Sequence, residues 1–247
     1  MIIRDISSLY EMPDEAVKWL DRMIDYTVAG GKMNRGLAMM SAYKTLLNSK
    51  GMNLTIKVSR HNVIYYFSSP HMLNFSVFKG RCQSAALGWC IEFLQAFFLV
   101  ADDVMDHSVT RRGAPCWFRN NDVQLIAIND SFILESCVFK ILKRYFGQEL
   151  YYPQLVDLFI EVCTYVYTYK HSSPHVCVIF ALQVTRQTEL GQLLDLTSQP
   201  LDGVIDLSRF TLERYISIVK YKTAFYSFYL PVALGKENRG DFCIRYY

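Results

Sequence analysis

The stretch AFFLVADDVMDHSVTRRGAPCWF, residues 96–118, places three aspartates directly after a run of apolar residues. Asp102 and Asp106 are four residues apart, so on a helix they share one face, with Cβ atoms about 5–6 Å apart. Asp103 lies beside them and adds to the negative field. Bare carboxylates at the mouth of an apolar wall are costly, and a Mg²⁺ ion, which prefers carboxylate and phosphate oxygens, removes that cost. The alternative is an ordinary acidic helix end that faces water.

Two arginines, Arg111 and Arg112, follow the aspartates within two helical turns or a tight loop. Planar guanidinium groups match phosphate oxygens in a bidentate manner. Carboxylates for a metal, arginines for phosphate and an apolar wall together indicate a site for a diphosphate with an apolar tail. The alternative is a pair of surface salt bridges, which contribute little to stability.

Three other stretches carry polar groups at spacings that bring them together on helices. They are the pair Lys32 and Arg35, the stripe Thr188, Gln192 and Asp195, and the pair Lys222 and Thr223. Lys32 and Arg35 point in the same direction if a helix starts at residue 31. Each stretch taken alone also fits a role in a helix cap or in the core.

The composition limits the class of protein. The 247 residues are enough for one large domain or two small ones, and 51% of them are hydrophobic. The net charge of +3 gives no indication of nucleic-acid binding. The seven cysteines form no CxxC pair and are odd in number, as expected for reduced thiols. The first residues lack the apolar core of a signal peptide, and no run reaches the roughly 18 apolar residues of a membrane helix. We therefore expect a cytoplasmic protein with no membrane span.

Helical spacing of apolar residues dominates the chain. It is clearest over 87–106, 123–146, 154–162 and 209–230, and it predicts an all-α fold. Two stretches differ. Residues 26–91 and residues 162–188 contain no Asp or Glu. Helices on a protein surface normally carry acidic residues on the face exposed to water, so these stretches look foreign to the rest.

Together, these motifs resemble the farnesyl diphosphate synthases, the short-chain trans-prenyltransferases. The matching text is GGKMNRGL, LGWCIEFLQAFFLVADDVMDHSVTRRGAPCWF, AINDSFILE, QTELGQLLDL and YISIVKYKTAFYSFYLPVAL. The resemblance covers roughly 1–46, 85–162 and 185–234. It implies a single, incomplete prenyl-synthase domain over 1–247, an isoprenoid-synthase-type helical bundle around a central cavity, and a homodimer.

The resemblance also implies an activity and a set of roles. The activity is the Mg²⁺-dependent head-to-tail condensation of isopentenyl diphosphate with dimethylallyl or geranyl diphosphate to give farnesyl diphosphate. Asp102 and Asp106 match the metal ligands, with Asp103 between them. The residues that match the isopentenyl diphosphate site are Lys32, Arg35, Gln95 and Arg112. Those that match the allylic diphosphate site are Arg111, Gln192, Asp195, Lys222 and Thr223. Phe97 and Phe98 match the bulky pair that closes the chain-length pocket. The catalytic groups are expected to be Asp102, Asp103, Asp106, Arg111 and Lys222.

The chain departs from the family pattern in three segments. These foreign segments lie at about 48–81, 163–184 and 235–247, and we hypothesise that they are translated non-coding sequence. The family text ends at Leu234, so the later helices, which carry a second aspartate-rich motif, are expected to be missing. An alternative function is therefore a catalytically defective family member that only binds diphosphates or pairs with a full-length subunit. A generic helical interaction domain is a third possibility.

Overall fold

A computed structural model describes residues 10–29, 31–49, 76–159, 166–170, 173–177, 184–198 and 206–237. This part of the chain is built from eight α-helices, which confirms the all-α prediction. They are α1 Asp14–Ile24, α2 Asn34–Asn48, α3 Ser76–Met105, α4 Ile126–Phe146, α5 Tyr152–Phe159, α6 Val184–Leu196, α7 Leu212–Ile218 and α8 Leu230–Glu237. Two antiparallel hairpins interrupt them, formed by β1 Thr110–Arg111 with β2 Ala114–Pro115, and by β3 Val166–Lys170 with β4 Ser173–Cys177.

The long helix α3 runs through the centre of the protein and packs against α2 and α4. Its apolar residues face neighbours on several sides, so Leu87, Ile91 and Leu94 are fully buried or nearly so. Helices α2 and α3 approach closely at two glycines. A Cβ atom on Gly36 would lie 3.1 Å from the carbonyl oxygen of Gly88, so side chains larger than hydrogen would push the helices apart.

The last helical segment is continuous from α7 to α8, and its middle part, Val219–Tyr229, is a π-helix. This wider winding is common at functional sites. The π-helix packs against α6 so tightly that a Cβ atom on Gly191 would lie 2.1 Å from the backbone nitrogen of Lys222. Glycine at this position therefore lets the two helices bring their polar side chains together.

A buried carboxylate connects the first hairpin to the helices around it. Asp130 on α4 accepts the indole N–H of Trp19 at 2.9 Å and that of Trp117 at 2.8 Å. The guanidinium carbon of Arg22 lies 5.0 and 5.1 Å from the centroids of the same two indole rings. Because Trp117 follows β2 directly, this contact fixes the position of the hairpin relative to α1 and α4.

The predicted helix boundaries agree with the structure in most places. The segment predicted as 87–106 starts earlier, at Ser76. The one predicted as 123–146 starts at Ile126 and ends as predicted, and the one predicted as 209–230 starts at Leu212 and continues to Glu237. Within the foreign segment 163–184, the described backbone forms the β3–β4 hairpin, and Pro174 lies in β4. Residues 50–75, 160–165, 171–172, 178–183 and 238–247 lie outside the described residues. The origin of the three segments stays a prediction.

One helical stretch within the described ranges, Cys82–Met105, is long and apolar enough to cross a membrane by length and composition. The core helix of a globular protein passes the same criterion, and 78% of the most apolar part of this stretch is buried inside the protein. The expected absence of a membrane span stays a prediction.

Candidate active site

The three aspartates lie at the C-terminal end of α3 and differ strongly in their surroundings. Asp103 points into the protein, with a side chain 5% exposed, whereas Asp102 is 17% exposed and lines a cavity. Asp106 is exposed at the rim of the same region. Partial burial and the nearby charge of Asp102 raise the pKa of Asp106. A cation is therefore favoured next to these two carboxylates.

Arg111 lies on the short hairpin that follows α3 and turns back towards the aspartates. Its guanidinium forms a bidentate ion pair with Asp103 and a second contact, at 3.3 Å, with Asp102. The hydrogen bonds to Asp103 raise the pKa of Arg111 above its ordinary value. Because two carboxylates hold it, Arg111 is fixed at the rim of the cavity.

Arg112 points in a different direction. It occupies the left-handed region with φ 57°, and Gly113 follows with φ 82°, which makes the hairpin turn tight. Its side chain donates a hydrogen bond to the carbonyl oxygen of Thr27 at 3.1 Å and packs against Gly31. Burial lowers the pKa of Arg112. The tight loop, one of the two connections expected from the sequence, thus directs the two side chains to different hydrogen-bond partners, although both line one smaller pocket next to Asp103.

Lys222 on the π-helix joins the aspartates from the opposite side. Its ammonium lies 3.1 Å from Asp102 Oδ1 and 2.6 Å from Asp195 Oδ2. Burial lowers the pKa of Lys222, but the hydrogen bond to Asp195 and the charge of Asp102 outweigh that effect, and the pKa lies above its ordinary value. The structure therefore brings three of the sequence-predicted residues into one charged group.

A cavity of about 490 Å³ opens beneath this charged group. Most of its wall is apolar, and Asp102 and Lys222 lie at its polar end. The apolar side chains that line it are Phe97, Phe98, Leu99, Val104, Met105, Ile128, Phe132, Leu193 and Leu196. The Phe98 ring lies 4.8 Å from the Phe97 ring and 5.9 Å from the Tyr226 ring, measured between centroids. The shape and polarity fit an apolar chain with an anionic head.

The polar stripe on α6 is only partly directed at the cavity. Thr188 and Gln192 both line it, and Thr223 lies on the facing π-helix. The Thr188 hydroxyl donates to the carbonyl oxygen of Val184 at 2.8 Å. Gln192 Nε2 is buried and has no hydrogen-bond partner among the described residues. It is the donor of the stripe that remains free for a bound molecule.

The second predicted cationic pair, Lys32 and Arg35, does not lie on one helix. Helix α2 begins at Asn34 rather than at residue 31, because Met33 takes a left-handed conformation with φ 55°. The helix start at residue 31, on which the alignment of Lys32 with Arg35 depended, is therefore not present. Lys32 precedes the helix and is exposed, and Gly30 in the same motif lies outside the described residues.

Arg35 is held at a well-defined position. It donates hydrogen bonds to Gln95 Oε1 at 3.0 Å, to the Tyr226 hydroxyl at 3.0 Å and to the Ser227 hydroxyl at 2.9 Å. Gln95 and Arg35 were both predicted from the sequence, and the structure places them in direct contact. The guanidinium also lies 4.5 Å from the centroid of the Tyr226 ring.

Sequence reasoning missed two residues that organise this region. Glu92 is a buried carboxylate on α3 that accepts the backbone N–H of Gly36 at 2.9 Å. Burial raises its pKa, while the charges of Arg35 and Arg112 oppose this effect. Tyr226 connects Arg35 with Phe98. The sequence signal for Glu92 was an isolated acidic residue in an apolar helix, and the signal for Tyr226 was its position four residues, about one helical turn, after Lys222.

Comparisons with known proteins agree with this geometry. The family model described as polyprenyl synthetase matches residues 17–240. The farnesyl diphosphate synthase of Dictyostelium discoideum is 42% identical over 246 residues, covering 97% of this chain and 52% of that protein. The farnesyl pyrophosphate synthase of Ganoderma lucidum is 46% identical over 229 residues, covering 93% of this chain and 50% of that protein. The chain thus spans about half the length of the curated relatives it matches.

Solved structures show the same similarity in three dimensions. The crystal structure of the T. brucei farnesyl diphosphate synthase matches with a TM-score of 0.73 at 30% identity, covering 98% of this chain and 59% of that one. The complex of the T. brucei enzyme with risedronate matches with a TM-score of 0.71 at 30% identity, covering 97% of this chain and 57% of that one. These matches confirm the predicted isoprenoid-synthase-type bundle.

Proposed function

The chain belongs to the polyprenyl synthetase family, and from this we propose that it catalyses the head-to-tail condensation of isopentenyl diphosphate with an allylic diphosphate. The allylic substrate is dimethylallyl or geranyl diphosphate, and the product is farnesyl diphosphate. The observation that carries the proposal is the apolar cavity of about 490 Å³ with Asp102 and Lys222 at its polar end and Arg111 beside it. The names of the relatives support the substrate class.

The carboxylates at the cavity fit a divalent metal ion, and we propose Mg²⁺. Among the described residues, no three His, Cys, Asp or Glu side chains form a group that could hold a metal ion. Mg²⁺ is typically held by one or two carboxylates, with water and substrate phosphate completing its coordination. Asp102 and Asp106 supply such a pair, since they lie one helical turn apart at the end of α3. When bound, Mg²⁺ would stabilise charge on the leaving diphosphate.

The protein side chains have separate tasks in the reaction. Arg111 and Lys222 are cationic groups at the cavity mouth that donate hydrogen bonds to the departing diphosphate. The cleavage leaves an allylic cation, and the apolar wall that includes Phe97 and Phe98 keeps water away from it. The double bond of isopentenyl diphosphate attacks the cation, and a proton is then lost.

The second substrate is proposed to bind at a second group of cationic side chains beside α3, which includes Arg35 and Arg112. Arg35 and Gln95 are in contact there, and Arg112 lies on the same side as the buried Glu92. A second diphosphate would bind to these arginines and to Lys32, which is exposed and free to turn towards it. Two separate cationic sites are what a two-substrate condensation of diphosphates requires.

The proposed partner is a second copy of the chain. We propose a homodimer, because two apolar side chains at the start of α4 that are not part of the cavity wall are exposed: Leu125 and Ile126. A second copy covering them would remove apolar surface from water. The cytoplasmic location expected from the sequence stays a prediction.

A turnover assay tests the proposed function. Purified protein is incubated with Mg²⁺, radiolabelled isopentenyl diphosphate and either dimethylallyl or geranyl diphosphate, and the products are separated by chain length. We expect labelled farnesyl diphosphate, and its loss in the Asp102→Asn variant. Binding of geranyl diphosphate without turnover would support the alternative of a defective diphosphate-binding member. The absence of both binding and turnover would refute the proposal.

A further inference from the structure

The ammonium of Lys222 lies where the charge of the aspartates is concentrated. It contacts Asp102 at 3.1 Å and Asp195 at 2.6 Å, and its charge also reaches Asp106. With a side chain only 24% exposed, Lys222 is partly shielded from water. It links carboxylates from α3 and α6, although it belongs to neither helix.

The charges around this ammonium do not balance. Asp102, Asp103, Asp106 and Asp195 lie near three cationic side chains, which are Lys222, Arg111 and, next to Asp103, Arg112. The carboxylates are in excess. Asp102 is shared, since its Oδ2 contacts Arg111 and its Oδ1 lies 3.1 Å from the ammonium of Lys222. A metal ion that coordinates Asp102 Oδ1 would therefore compete with the ammonium for that oxygen.

The two cations that contact Asp102 differ in how easily they can be displaced. Arg111 is bound to Asp103 in a bidentate manner, and such paired hydrogen bonds hold a guanidinium firmly. Lys222 is a single charge on a flexible stem with rotatable donors. Its backbone is fixed by the close contact with Gly191, so that only the side chain is free to move. Of these two, Lys222 is the cation that can leave.

We propose that the ammonium of Lys222 competes with a divalent cation for Asp102, and that the cation displaces the ammonium when a diphosphate binds. The released ammonium then turns to the diphosphate oxygens. Lys222 would thus contact Asp102 when no metal is bound, and the diphosphate when both ligands are bound. This inference rests on the metal site of the proposed function. It implies that Lys222 weakens metal binding before the substrate arrives and strengthens it afterwards. Binding of metal and diphosphate is thereby coupled through one residue.

Mn²⁺ binding without substrate tests the inference directly. The dissociation constant of Mn²⁺ is measured by electron paramagnetic resonance for the parent protein, for Lys222→Met and for Lys220→Met. Lys220 is two residues away on the same π-helix, where it stacks on Tyr221 at 5.1 Å, so its substitution controls for the loss of one positive charge. We expect Lys222→Met to bind Mn²⁺ about tenfold more tightly, a typical size for coupling between two ligands. Lys220→Met should bind it as the parent does.

A second titration adds inorganic diphosphate. It should tighten Mn²⁺ binding to the parent by a larger factor than to Lys222→Met, because the variant has no ammonium to donate to the diphosphate. Circular dichroism checks that Lys222→Met is folded. If Lys222→Met does not fold, the titrations are done with Lys222→Gln, which can still hydrogen-bond to Asp195.

Two results would overturn the inference, and they can be told apart. If Mn²⁺ binds to the parent with diphosphate, but Lys222→Met and Lys222→Gln show no gain in Mn²⁺ affinity beyond that of Lys220→Met, the displacement is wrong and the metal site stands. If Mn²⁺ binds to none of the proteins even with diphosphate present, the metal site of the proposed function is wrong, and the inference falls with it.

Discussion

Replacing Phe98 with alanine should extend the cavity and favour longer isoprenoid chains. Phe98 lies four residues before Asp102, which places it about 6 Å deeper along α3 at 1.5 Å per residue. Its ring lines the cavity and would meet a chain whose diphosphate binds at Asp102. Without the ring, a chain one isoprene unit longer could enter the space beyond it.

The size of the effect follows from the number of carbon atoms of the chain that can become buried. Each buried methylene group contributes about 0.8 kcal/mol, so a fully buried five-carbon unit would contribute up to about 4 kcal/mol. Removing one ring opens only part of that space. We therefore expect the affinity for farnesyl relative to geranyl diphosphate to rise by about tenfold or more, which corresponds to at least about 1.4 kcal/mol.

The substitution should also lower stability. Phe98 loses ring contacts with Phe97 and Tyr226, and each aromatic pair contributes about 0.5–1.5 kcal/mol. The matched control is Phe225→Ala, because Phe225 also makes two ring contacts, with Tyr221 and Tyr229, and is not part of the cavity wall. Both variants should lose about 1–3 kcal/mol in the free energy of unfolding.

Calorimetry with Mg²⁺ measures the two affinities, and product analysis by chain length gives an independent reading where turnover is observed. Only Phe98→Ala should shift the preference. An unchanged ratio of affinities, or an equal shift in Phe225→Ala, would show that Phe98 does not close the cavity.

Three further substitutions test the packing around the site. Gly191→Ala places a Cβ atom 2.1 Å from the backbone nitrogen of Lys222, so thermal unfolding should show a loss of about 2 kcal/mol or more, and a stability equal to the parent would refute the close contact. Asp130→Asn leaves one indole N–H facing an amide donor, so urea unfolding should show a loss of about 1–3 kcal/mol, and no loss would contradict the two hydrogen bonds. Burial raises the pKa of Glu92 above 4.5, so its stabilising contribution is full below that pH and is lost as the pH rises through the raised pKa. Glu92→Gln should therefore gain stability relative to the parent between about pH 4 and about pH 7, and a constant difference would exclude this titration.

The sequence was sufficient for the parts of the site that depend on local spacing. Asp102 lies at the cavity because the apolar period of α3 fixes which face is buried, and Phe98 follows from the same helix geometry. The pairing of Lys222 with Asp195 joins residues 27 positions apart. Its components were predicted individually, but the close approach that joins them depends on Gly191, whose role appears only when two helices are packed together.

Other features could not be derived from local patterns. The start of α2 depends on the backbone conformation of Met33, and no local side-chain cap marks it. Glu92 supplies a hydrogen bond to that helix from 56 positions away. The β3–β4 hairpin lies in a stretch without a clear period, where neither helix nor strand was indicated. Long-range contacts of this kind determine boundaries that hydrophobic periodicity leaves open.

The binding of geranyl diphosphate with and without Mg²⁺ tests the central claim most directly. Calorimetry should show binding when Mg²⁺ is present, no binding in EDTA, and weakened binding in Asp102→Ala. Asp122→Ala, which removes an exposed carboxylate paired with Arg22, should bind as the parent does. Equal affinity in Mg²⁺ and in EDTA, or equal affinity of Asp102→Ala and the parent, would contradict a metal-dependent diphosphate site at the end of α3.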